Sequence, residues 1–246
     1  MKNSEFSSVG MLGGYSALDG TVEFYGRINA FLKPEFVVVD LGAGRGAWYS
    51  DGNPGYPSSL RLMKGKVAEV IGLDVDGAVL SNPSTDANFV IDGEKLPLSD
   101  ASVDVVIADF VLEHLWEPAA VEREVFRILR PGGLFCARTP HSLHYVSIGA
   151  RLVRNARHAR VLKTVQPSRK EIDVFETKYR CNTLRRINRI WDSRRWINYS
   201  YLYTAEPSYY FGSRHVYRAL RVLHKVLPLP LVGNIFVFQV KRGAQA

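Results

Sequence analysis

Through residues 36–140, short apolar runs that end in Asp or Gly alternate with amphipathic stretches. The first run, from Phe36 through Val37, Val38 and Val39 to Asp40 and Leu41, breaks into three closely spaced glycines, Gly42, Gly44 and Gly46. β-Branched and aromatic residues followed by Asp and Gly read as a buried parallel strand entering a tight turn. Further strands are predicted over residues 67–75, 88–91, 103–108 and 134–137, and then over 198–203 and 234–241. Helical spacing fills the intervals. Residues 19–32 place Val22, Tyr25, Ile28, Ala30 and Phe31 in one stripe behind a capping Asp19. Residues 50–57 hold two glycines and two prolines and read as loop, with a short helix over 58–63. Glu117 and Pro118 open a helix that turns Val121, Val125, Ile128 and Leu129 inward, and Arg130-Pro131-Gly132-Gly133 closes it. Residues 180–183 cap a helix over 184–191. In a last helix, over 213–227, Val216, Leu220, Leu223 and Leu227 line the covered face and Arg214, Arg218, Arg221 and Lys225 the outer one.

Alternation of this kind implies an α/β fold: a doubly wound, mainly parallel seven-stranded sheet with helices on both faces and a ligand at its carboxyl edge. The 246 residues read as one domain. Its parts are a lead-in and lid (1–35), a cofactor-binding core (36–146), a basic helical insertion between strands five and six (147–195), and the last two strands with their helix (196–246).

Composition adds little to that, since 46% hydrophobic and 23% charged residues are ordinary for a globular chain. Charge adds more. Residues 1–150 carry 12 Lys+Arg and 19 Asp+Glu, a net of −7, whereas residues 151–246 carry 20 and 5, a net of +15. The basic half suits an anionic substrate, a phosphorylated lipid, a membrane surface or nucleic acid, or simply forms a solvated face. No apolar run reaches the length of a transmembrane helix and Met1 to Glu5 lack an apolar signal core, so a cytoplasmic protein is expected, with peripheral contact at the inner membrane face as a further role. Cys136 and Cys181 are too few for a disulfide framework and lack metal-ligand spacing, and no metal constellation is predicted.

The glycine turn is a small-molecule cradle at a strand end, and two cofactor classes compete for it. Gly42-x-Gly44-x-x-Ala47 nearly satisfies a dinucleotide fingerprint, which seats pyrophosphate on a helix N-terminus. Asp40, two residues before the first glycine, opposes a pyrophosphate and suits an ammonium or sulfonium instead. Asp74 ends the second strand at the same sheet edge, where a carboxylate can accept both hydroxyls of a ribose.

With these pieces in order the chain resembles the class I S-adenosylmethionine-dependent methyltransferases, in the small-molecule branch with a "type 11" domain. Val39-Asp40-Leu41-Gly42-Ala43-Gly44-Arg45-Gly46 looks like the family's first motif, and Gly72-Leu73-Asp74-Val75-Asp76 like its ribose-binding strand end. Asp92-Gly93-Glu94 resembles the adenine-contacting turn. Leu96 to Asp104, Leu112-Glu113-His114 and Leu129-Arg130-Pro131-Gly132-Gly133 resemble the later signatures. The resemblance implies S-adenosylmethionine as cofactor, held by Asp40, Gly42, Gly44, Gly46, Asp74, Val75, Asp92, Gly93 and Asp109, and a terminal antiparallel hairpin from strands six and seven. It places His114 near the transferred methyl group. His141, after Thr139-Pro140, is the second candidate base, with His144, Tyr179 and His215 behind them; His114 as pocket wall and His141 as a turn residue are the structural alternatives. An Asn-Pro-Pro-Tyr-type motif is absent at Asp109 to Leu112, which argues against methylation of a DNA base. The implied reaction is methyl transfer to a small-molecule or glycan/lipid-intermediate acceptor, on oxygen, with the basic insertion shaping an anionic acceptor pocket. RNA or another polyanion is the alternative acceptor, served by the basic half with Tyr199, Tyr201, Tyr203, Tyr209 and Tyr210. A non-catalytic or membrane-associated protein that keeps the fold is the third reading.

Overall fold

The computed structural model describes residues 13–50, 55–92, 95–152, 176–207, 210 and 213–243. Residues 153–175 of the expected basic insertion, the start of the lead-in, Gly93 and Tyr209 therefore lie outside the described residues.

Helix α1 (Gly20–Phe31) begins where the Asp19 cap predicts, with the Asp19 carboxylate accepting from the Thr21 and Val22 amides. Its covered face is Phe24, Tyr25 and Ile28, while Ala30 and Phe31 are exposed. The expected stripe is thus corrected by one position. Phe24 packs edge-on against Phe236 and beside Phe238, so the last strand of the sheet decides which way the helix faces.

Strands β1 (Val37–Leu41), β2 (Glu69–Asp74), β3 (Ala87–Val90), β4 (Val103–Asp109) and β5 (Leu129–Pro140) are mutually parallel. Between them lie α2 (Ala47–Ser50), α3 (Tyr56–Arg61), a 3-10 turn (Gly77–Ser81) and α4 (Pro118–Ile128). Helix α3 starts at the Gly55-Tyr56-Pro57 step, where Gly55 caps it without a side-chain bond and Pro57 suits the first turn. Beyond β5 come α5 (Tyr145–Leu152), α6 (Leu184–Ile190), β6 (Trp196–Asn198), β7 (Tyr201–Tyr203), α7 (Arg214–Val226), α8 (Leu229–Val232) and β8 (Asn234–Lys241).

The sheet has eight strands, in the order β3-β2-β1-β4-β5-β8-β6, with β7 also paired to β8. The expected seven became eight because the predicted strand 198–203 is cut in the middle. Asn198 accepts from the Ser200 amide, and the Ser200 hydroxyl accepts from the Phe238 amide, so two side chains take over ladder bonds and bend the strand. β8 runs antiparallel between β5 and the β6 and β7 pieces, which is the expected terminal hairpin. Two apolar cores fill the faces: one around Phe135, Trp191 and Trp196, the other around Phe24, Tyr25, Ile28 and Phe236.

Helix α7 is a second correction. Its covered residues are Tyr217 and His224, whereas Val216 and Leu223, expected inward, are more than a third exposed. Polar partners rotate it: Tyr217 and Arg221 both donate to Glu206, and His224 lies edge-on to Tyr145. Satisfying a buried carboxylate decides the helix rotation over apolar periodicity alone.

Candidate functional site

At the carboxyl edge of the sheet β1 delivers Asp40 and then turns sharply. Gly42, Gly44 and Gly46 all take positive φ. A Cβ at Gly42 would collide with Val111, and one at Gly46 with the Asn82 amide, so the loop must pass close to both. Asn82 clamps the loop from behind by donating to the Ala43 and Gly44 carbonyls. Nothing in the motif reveals this clamp.

The loop amides decide between the two ligand classes. The Gly42 and Ala43 amides both donate to the Leu73 carbonyl, and the Gly44 amide donates to the Asp74 carboxylate at 2.8 Å. A pyrophosphate cradle needs amides aimed at the ligand. The first three loop amides are committed within the protein, and the Asp40 and Asp74 carboxylates lie at the same edge, which suits a cation better than a pyrophosphate.

Asp40 is only 7% exposed, and among the described residues no group donates a hydrogen bond to its carboxylate. Burial pushes its pKa up from 3.8 to about 6; the Asp109 and Asp74 charges add to the rise, and the Arg61 guanidinium opposes it. Arg61, from the end of α3, lies over the Trp48 indole at 4.5 Å and reaches the Asp109 carboxylate only at 3.8 Å. Its Nε and the Trp48 Nε1 are buried donors without an acceptor among the described residues. A naked carboxylate beside two orphan donors is a pocket whose polar groups are completed by something else.

The carboxylate of Asp109, which the resemblance places among the cofactor ligands, is held by the Arg138 guanidinium through Nε and, at 2.9 Å, through Nη2, and it accepts from the Tyr25 hydroxyl at 3.0 Å. Burial pushes its pKa up, but Arg138 and then Arg61 outweigh that and hold it below the usual carboxylate range. Arg138 also donates to Thr21, so this group ties α1 to the ends of β4 and β5. The register had a signal for it, because Asp109 and Arg138 are paired positions on adjacent strands. Phe110, next in the chain, sits at φ 58 under the Arg138 guanidinium.

Both Asp74 oxygens face backbone, one taking the Gly44 amide and the other the Asp76 amide, which fixes the carboxylate at the edge beside the loop. Val75 is 58% exposed there, an apolar surface facing outward. Asp92 follows β3 and is exposed, on the same side as Asp74, to whose carbonyl the Ile91 amide donates.

The two candidate bases separate. His114 Nδ1 donates to the Glu176 carbonyl at 2.9 Å, which fixes the tautomer and puts the basic lone pair on Nε2. His141 Nδ1 accepts from the Leu143 amide at 3.1 Å, which holds the ring against its own turn. One nitrogen serves the turn and burial lowers its pKa, which favours the turn-residue alternative for His141 over the base. His144 repeats the pattern: it accepts from the Val146 amide, and burial, with His224 nearby, takes its pKa down to about 4. Tyr179 is buried at positive φ and His215 is exposed on α7. Beyond His114, Trp116 is 57% exposed and carries Arg180 at 3.8 Å and Lys178 at 4.9 Å over its ring. That cationic aromatic patch is invisible in the sequence because its residues lie some sixty positions apart. No group of His, Cys, Asp and Glu among the described residues could hold a metal ion.

The fold and the glycine turn are similar to those of the class I S-adenosylmethionine-dependent methyltransferases. Residues 51–137 match the family model described as a methyltransferase domain. A probable S-adenosylmethionine-dependent methyltransferase of Mycolicibacterium smegmatis is 38% identical over 129 residues, covering 50% of this chain and 49% of its own. Dimethylglycine N-methyltransferase of Parasynechococcus marenigrum is 31% identical over 118 residues, covering 46% and 40%. The chain thus spans about half the length of the curated relatives it matches. Among solved structures, an S-adenosylmethionine-dependent methyltransferase from Mesorhizobium loti superposes with a TM-score of 0.51 at 19% identity, covering 91% of this chain and 100% of that one. That likeness bears on the fold alone.

Proposed function

We propose that the protein transfers the methyl group of S-adenosylmethionine to an oxygen of an anionic small-molecule or glycan/lipid-intermediate acceptor. The observation that carries the cofactor half is Asp40, a buried carboxylate with no donor among the described residues, beside two buried donors with no acceptor. The amino-acid end of S-adenosylmethionine offers one ammonium and one carboxylate, the complement of that set. Asp40 takes the ammonium, and Arg61 Nε and Trp48 Nε1 are the groups that suit the carboxylate. Asp74 accepts from the ribose hydroxyls, Val75 packs on the ring, and Asp92 with residue 93 reads the adenine edge. The cofactor when bound supplies a methyl group on a cationic sulfur.

Displacement at such a carbon is accelerated mainly by alignment and exclusion of water. Helix α1, fixed to the strand ends through Tyr25, Asp109, Arg138 and Thr21, supplies the rigid wall. His114 accepts the hydroxyl proton on Nε2, its ring oriented by the Glu176 carbonyl. Trp116 with Arg180 and Lys178 supports an anionic acceptor, since cations held over an aromatic face bind carboxylate or phosphate.

Incubation with methyl-labelled S-adenosylmethionine tests this against hydroxyl acceptors that carry a phosphate or carboxylate and their neutral counterparts. Label is expected on the charged hydroxyl compounds, and His114→Asn is expected to lower kcat by about 10²–10⁴ without changing cofactor affinity. Label passing only to small amines, or to RNA, would sink the acceptor half.

A further inference from the structure

We propose that α7 is a membrane-docking helix that lies on a bilayer of anionic lipids. Three kinds of side chain divide its circumference. Tyr217, Arg221 and His224 face the protein, held by Glu206 and Tyr145. Val216, Ala219, Leu223 and Val226, spaced i, i+3, i+7 and i+10, form a second face that the described residues leave open, with Val222 and the exposed His215 beside it. Val226 is 71% exposed and Val222 63%. Arg214, Arg218 and Lys225 are exposed along a third face. Leu229, just past the helix end, is 48% exposed and extends the open apolar face.

A surface of several large apolar side chains in a row calls for an occupant, and charge selects it. From Pro207 to Ala246 the sequence holds six Lys+Arg and no Asp or Glu. A second copy brought up to the same face would set Arg214, Arg218 and Lys225 against their own like. An apolar strip rimmed on one side by cations alone matches a bilayer, where the strip enters the acyl boundary and the rim meets anionic headgroups. No described helix is long and apolar enough to cross a membrane, so the contact is peripheral. Glu206 also accepts from Ser16 and, through its own amide, bonds the Leu18 carbonyl, so the docked helix is tied to the lead-in just before α1. Docking thus sets the cofactor edge and its α1 wall in fixed relation to the lipid surface.

Sedimentation of the full chain with vesicles tests this. Vesicles of phosphatidylcholine with phosphatidylglycerol in equal parts are expected to carry the protein down, and vesicles of phosphatidylcholine alone to leave it in solution. Val222→Glu with Val226→Glu should weaken binding by at least ~10-fold, as should Arg214→Glu with Arg218→Glu and Lys225→Glu. All five side chains are exposed, so unchanged S-adenosylhomocysteine binding serves as the control for folding, and it also separates failure here from failure of the methyltransferase reading. Equal sedimentation of wild type and both variants, or none with wild type, overturns the proposal. So does a concentration-dependent dimer, in the absence of lipid, that Val226→Glu dissolves, because that assigns the face to a second copy.

Discussion

Strands β1 and β4 lie side by side, and each ends in a buried aspartate, yet the two carboxylates stand in opposite surroundings. Asp109 has Arg138, Tyr25 and, farther off, Arg61, and its pKa is held down. Asp40, one strand over, has no donor among the described residues and its pKa rises to about 6. The first arrangement is complete without a ligand and the second is not. A buried charge left unpaired is costly, so it persists where function requires it. On the function proposed above, the difference assigns Asp109 to the frame and Asp40 to the ligand.

The contrast breaks most visibly at Arg138. Arg138→Met leaves the buried Asp109 with only the Tyr25 hydroxyl and the more distant Arg61, and denaturant unfolding should show a loss of about 3 kcal/mol. Adding Asp109→Asn should restore at least half of it. A loss below about 1 kcal/mol, the level of an exposed pair, would remove Asp109 from the frame.

At Asp40 the expected effects have opposite signs. Its folded pKa of about 6 lies above the unfolded value of 3.8, so the folded chain holds a proton that the unfolded chain has lost. This group's share of the ligand-free stability therefore falls as pH rises from roughly 4 to 6 and stays lost above. Asp40→Asn should raise ligand-free stability near neutral pH by on the order of 1–3 kcal/mol while weakening S-adenosylhomocysteine ~10-fold or more. His141 and His144, both lowered by burial, give the reverse slope, with stability lost as pH falls below about 6.5. The difference between wild type and Asp40→Asn isolates the carboxylate. Asp74→Ala is expected to weaken the same ligand by ~10-fold, about 1.4 kcal/mol.

The smallest effect belongs to His141. Its Nδ1 accepts from the Leu143 amide, so His141→Asn should cost about 1 kcal/mol of stability and change kcat by less than ~3-fold. A loss like that expected for His114→Asn would return it to the chemistry.

Legibility followed how local each constraint is. Gly42, Gly44, Asp40 and Asp74 could be read because a turn of positive φ and an acid at a strand end are demands on neighbouring residues. Strands β1 to β4 emerged within one or two residues of their predicted limits for the same reason. Arg61, Trp48, Tyr25 and Arg138 come from four elements that meet only in the fold, and the sole hint, an Arg in an apolar strand level with Asp109, needed the register. Asn82 clamps the glycine loop from 36 positions beyond Gly46, with no motif to mark it. The rotation of α7 was misread because Glu206 and Tyr145, not the spacing of leucines, decide which face is covered. His141 reads as chemical by residue type and position alone; the Leu143 amide on its Nδ1, visible only in the fold, favours the turn role.

The measurement that bears most directly on the contrast is calorimetric titration of S-adenosylhomocysteine into wild type and Asp40→Asn at about pH 5 and about pH 8. If Asp40 waits for the ligand's ammonium, wild type binds about tenfold tighter at the higher pH, and Asp40→Asn binds weakly and alike at both. Equal affinity for the two proteins at both values would contradict the account, as would no binding of this ligand alongside binding of a dinucleotide.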